Sequence, residues 1–147
     1  MKQARTYRGV VEISLGGLWV LQDSEPEGWG YDDYPSDFAG RTGDEGIYLI
    51  SGHYAGSVDV TVEVHDSDPG HPQGWGKSAE VEGSYPSRVA RAWCELLPVD
   101  EQLDGIELPA ERVRTRVLVN GWSTPPNPGS PPETWLLQVW PVEALHS

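Results

Sequence analysis

Val58-Asp-Val-Thr-Val-Glu-Val-His65 alternates without a break: valines at 58, 60, 62 and 64 stand against Asp59, Thr61, Glu63 and His65. In an extended chain successive side chains point to opposite faces, so this stretch has one apolar and one polar face, as a half-buried strand requires. Wound at 3.6 residues per turn, the same valines would scatter around a helix. Residues 112–120 repeat the pattern, with Val113, Thr115, Val117 and Val119 on one face and Arg112, Arg114 and Arg116 on the other.

Shorter stretches of strand character occupy 9–15, 18–23, 46–51, 78–83, 105–108 and 134–140. Turn-forming pairs and triplets separate them: Gly16-Gly17, Ser51-Gly52, Asp68-Pro69-Gly70 and Asn120-Gly121. With 17 Gly and 13 Pro in 147 residues, the pattern predicts an all-β chain, a single-domain antiparallel β-sandwich of about 8–9 strands. Residues 87–97 admit two readings. Val89, Ala92, Trp93, Leu96 and Leu97 have helical spacing, with Pro98 to end a short helix, whereas Val89, Arg91 and Trp93 alternate as in a strand. The β context favours the strand.

Two stretches read as long loops: 24–44, acidic and aromatic, and 124–132, rich in proline and therefore extended. Neither marks a domain boundary, so residues 1–147 are expected to form one domain. Cys94 is the only cysteine, which excludes an internal disulfide and any multi-cysteine metal site. No signal-like apolar run follows Lys2, Arg5 and Arg8, and no window approaches a membrane span. The expectation is a cytoplasmic protein.

The formal net charge is −13, which disfavours phosphate backbones and anionic membranes alike. Twelve acidic residues fall in 23–68 against Arg41 alone, a net −11. Within them lie Trp29, Tyr31, Tyr34 and Phe38, interleaved with Asp32, Asp33 and Asp37. Aromatics supply anchoring area and carboxylates select a basic partner, so these seven residues form the expected partner-binding site. The bland alternative is a solubilising acidic surface with the aromatics folded onto the sheet. The Arg112, Arg114, Arg116 stripe reads either as an anion site or, better, as cross-strand partners of Asp59, Glu63, Glu80 or Glu82.

Chemical signals are sparse. His65, Asp66, Asp68 and His71 have a metal-like composition, but Asp68-Pro69-Gly70 is an ordinary turn and the spacing matches no His-pair motif. Cys94 has no sequence-adjacent partner, and neither a nucleophile elbow nor a phosphate-binding glycine loop occurs. The expectation is a non-enzyme without cofactor or metal.

The order of motifs carries a further reading. Val58 to Asp66, then Pro69, Trp75 and Ala79-Glu-Val81, form a first block; Ile106-Glu-Leu-Pro109, a turn and Arg112-Val-Arg-Thr-Arg-Val117 form a second; Glu133-Thr-Trp-Leu-Leu-Gln-Val-Trp-Pro141 closes the chain. Over residues 45–141 this arrangement resembles a family of uncharacterised bacterial β-sandwich proteins and, more distantly, the competence-J family of nuclease inhibitors. The chain departs from it in the 124–132 insertion and around 86–97. The resemblance implies a small sandwich that blocks a basic partner, a nuclease or toxin, in the way of an immunity protein, without touching nucleic acid itself. Two other expectations compete. One is a small-molecule or carbohydrate binder that uses exposed tryptophans, with Trp29, Trp75 and Trp122 near turns. The other is a structural component of a phage or secretion assembly.

Overall fold

The structure is a computed structural model that describes residues 5–13, 17–22, 39–41, 47–50, 56–93, 103–121 and 133–142. Ten strands lie within them: β1 (Arg5–Ile13), β2 (Gly17–Gln22), β3 (Ala39–Arg41), β4 (Ile47–Ile50), β5 (Gly56–Val64), β6 (Lys77–Ser84), β7 (Val89–Trp93), β8 (Asp104–Glu107), β9 (Arg112–Asn120) and β10 (Thr134–Pro141). They make two five-stranded sheets, β1-β5-β10-β9-β6 and β3-β4-β2-β7-β8. The described residues form the expected β-sandwich, with ten strands among them where about eight or nine are expected.

Alternation sets the layers. Register partners share a face, so Val58, Val60 and Val62 of β5 continue through Trp135 and Leu137 of β10 into Val117 and Val119 of β9. All of these are at most 2% exposed, and with Ile47, Leu49, Ala90 and Ile106 of the second sheet they form the core. Tyr85, Leu103 and Leu108, from connections, complete it.

Three features differ from the sequence expectation or decide between its two readings. First, β5 and β10 pair in parallel, unlike every other neighbour pair in these sheets. Second, residues 89–93 form β7, held between β2 and β8, with Val89 and Ala90 opposite Glu107 and Ile106. Arg88 has φ 59, a conformation outside the right-handed helix, so the chain enters residue 89 without a helical first turn. Residues 94–97 lie outside the described residues. Third, β3 lies within the stretch read as the 24–44 loop, too short to show a period of its own.

The two sheets are tied at an edge. Arg5 of β1 pairs with Glu107 of β8 at 2.7 Å, and the Tyr7 hydroxyl accepts from the Glu107 amide. Side chains here close what strand pairing leaves open.

Candidate functional site

The valine face of the first sheet points into the core, so Arg112, Arg114, Arg116, Leu118 and Asn120 of β9 share the outer face with Leu136, Gln138 and Trp140 of β10. That face is expected to meet water. Instead Leu118, Leu136, Gln138 and Trp140 are at most 8% exposed, and the Arg116 side chain is 6% exposed.

For Arg116 one cause is topological. β5 and β6 run in the same direction with β10 and β9 between them. The chain therefore leaves β5 at one end of the sheet and must enter β6 at the other. Residues 65–76 make that crossing as a strap over the outer face. At its start the His65 amide extends the ladder by donating to Val139 O (2.8 Å). At its end Asn120 clasps it on both sides, accepting from the Gly76 amide (2.7 Å) and donating to Gly74 O (3.0 Å).

Arg116 sits beneath the strap. Its two terminal nitrogens donate in parallel to the two Asp68 carboxylate oxygens, at 3.1 and 3.3 Å, and one also donates to Gln138 Oε1 at 3.1 Å. The guanidinium lies over the Trp140 ring, 4.8 Å from its centroid, where the aromatic quadrupole favours a cation. Glu80 is 3.8 Å away, and the buried Nε has no hydrogen-bond partner. Asp68 in turn accepts from the Gly70 amide at 2.8 Å, an Asx turn. That backbone bond, followed by the Arg116 contact, holds the Asp68 carboxyl below its ordinary range despite some desolvation.

The arginine stripe is thus largely paired, as the carboxylate reading expects. Arg112 binds Glu82, Arg114 stands 4.0 Å from the same carboxylate, and Arg116 adds Asp68 from the strap, a partner outside the predicted set. The metal-like quartet is pulled apart. His65 turns to Glu63 (3.1 Å) and Asp68 to Arg116, while His71 meets Pro72 O and Ser78 Oγ through its two ring nitrogens. No group of three metal-ligating residues occurs among the described residues.

All seven residues of the expected partner-binding site (Trp29, Tyr31, Asp32, Asp33, Tyr34, Asp37 and Phe38) lie outside the described residues, as do Trp122 and residues 124–132. In the sequence the seven fall between Gln22 of β2 and Ala39 of β3. Trp135 and Trp140 are buried and present no open aromatic platform for a sugar ring, while Trp75 is half-buried. No helix among the described residues is long and apolar enough to cross a membrane.

No family model and no curated protein matches the chain. Solved structures do. One is described as ComJ, inhibitor of the DNA degrading activity of NucA, from Bacillus subtilis; it shares 11% identity over 96% of this chain and all of its own, with a TM-score of 0.67. The fold is that of ComJ. A second, described as crocagin biosynthetic gene J, aligns with 15% identity over 97% of this chain and all of its own, with a TM-score of 0.62. At these identities the likeness concerns the fold. It bears out the distant similarity to the competence-J inhibitors read from the motif order, and neither neighbour is described as an enzyme.

Proposed function

We propose that this protein is an acidic inhibitor, immunity-like in action, that occludes a basic protein partner such as a nuclease or toxin. The observation that carries this reading is full-length likeness to ComJ, itself described as inhibiting a DNA-degrading activity. The distribution of charge supports it. The described residues hold 11 acidic and 9 basic side chains, close to balance; the remaining segments hold 12 acidic residues and Lys2 alone. The described residues are thus nearly neutral, and the excess negative charge belongs to the other segments of the sequence. A nuclease cleft built for phosphates is basic, so concentrated negative charge of this kind competes for it and speeds encounter at low salt.

In this reading Trp29, Tyr31, Tyr34 and Phe38 anchor the contact and Asp32, Asp33 and Asp37 select the basic surface. The test is affinity capture from the native host at low ionic strength, followed by a DNA-degradation assay on the captured protein. The expected result is a partner of net positive charge whose nuclease or toxic activity falls as this protein is added. Charge reversal at Asp32, Asp33 and Asp37 should slow association by about tenfold or more at low salt. Capture of no basic protein, or unchanged binding after the reversal, would overturn the proposal.

A further inference from the structure

The structure assigns the Arg116–Gln138–Trp140 pocket as a carboxylate-binding seat that the chain fills in cis with Asp68, and that a carboxylate ligand takes in trans when the strap lifts. This is independent of the inhibitor reading and would survive its failure.

The seat is built from the sheet. Arg116 and Gln138 are direct register partners on β9 and β10, and Trp140 is one same-face position further along β10. Gln138 Oε1 orients one terminal nitrogen, and the Gln138 amide reaches Glu63 at 3.5 Å. The indole supports the guanidinium plane from below. What remains is the two-pronged edge of the arginine, aimed at the strap, the geometry that recognises a carboxylate bidentately.

The occupant differs from its receptor. Arg116 is 6% exposed, while the Asp68 side chain is 50% exposed and belongs to a surface crossing. Burying a cation under a half-exposed counter-ion is an expensive way to fasten a loop, since an apolar pair of similar volume serves stability as well or better. The unpartnered Nε points the same way, because a guanidinium retained only for structure is expected to have its buried donors used.

The chemistry of the ligand follows from charge. Glu80 and Glu63 border the seat and would repel an added anion. Replacing Asp68 by another singly charged carboxylate leaves the local charge unchanged, whereas a phosphate dianion adds to it. The seat therefore selects a monocarboxylate. Arg114, two residues along the same face and 50% exposed, adds positive potential at the Asp68 carboxylate. Because Asp68 is tethered at both ends of the strap, it competes at an effective concentration in the millimolar range, so free carboxylate binds weakly until the strap is released.

The test uses the full chain and the side-chain Nε–H resonance of Arg116, identified by its loss in Arg116→Met. In Asp68→Ala, acetate should shift this resonance saturably in the millimolar range, at least about tenfold more effectively than chloride at matched ionic strength. The wild type should show no shift at the same concentrations. A capped Gly-Asp-Gly peptide separates the sources of ligand: binding tighter than acetate indicates an acidic side chain of a protein, and equal binding a small carboxylate. Asp68→Asn, which keeps side-chain size and the Gly70 turn, repeats the titration if the alanine variant does not fold. No saturable shift in a folded variant, an equal response to chloride, or an equal response of the wild type would each overturn the assignment.

Discussion

Asp68 and Arg116 are far apart in sequence yet set each other's properties. The folded pKa of Asp68 lies below its ordinary value of 3.8, so its contribution to stability is complete above that value and is lost as pH falls through the folded one. Urea midpoints measured from neutral pH into the acid range should show a loss below about pH 4 that Asp68→Asn reduces. Removing Arg116 acts differently, because the partner left behind is half-exposed and can be rehydrated. Arg116→Ala should cost about 1–3 kcal/mol, mostly through lost contact with Trp140 and Gln138, below the penalty for stranding a fully buried charge. Arg116→Met should recover part of it, and equilibrium unfolding of both variants checks the order. None of this was legible locally: the arginine stripe was plain in the sequence, but the burial of one member of it was not.

At the scale of elements, alternation did most of the work where strands are long. β5 and β9 turn their predicted apolar faces to the core, β10 continues that face between them, and truncation on it should be felt accordingly. Leu137→Ala, in a side chain with no exposure, should destabilise by about 2–5 kcal/mol. Val10→Ala, 52% exposed on β1, should change stability by less than about 0.5 kcal/mol. Urea titration of the two separates core from surface. The strap is a different kind of element, held by point contacts. Asn120→Ala removes both clasp bonds, and hydrogen exchange at the Gly76 amide should quicken by about tenfold while amides in the middle of β5 stay protected. β3 and β7 were the hard cases. Three residues are too few for a period, and β7 carries a pattern that fits both repeats until β2 and β8 close around it.

For the whole molecule, the charge of −13 divides into two parts, described residues close to balance and other segments of the sequence that hold nearly all of the excess. This division predicts that raising ionic strength weakens association with a basic partner chiefly by slowing its on-rate, since screening acts on the long-range attraction and not on aromatic anchors. Stopped-flow association rates across a salt series check it. The sequence by itself determined the all-β character, the core faces of the long alternating strands, the acidic and aromatic composition of residues 24–44, and the order of motifs that resembles the competence-J inhibitors. These follow from short-range rules: side-chain alternation, turn chemistry and charge count. Only the tertiary structure decided that β5 and β10 pair in parallel and that residues 65–76 cross the outer face. That crossing sets Asp68 over Arg116, a position that alternation alone assigns to the surface. Strand neighbours are chosen by burial summed over the whole sandwich, and no local window of sequence contains that sum.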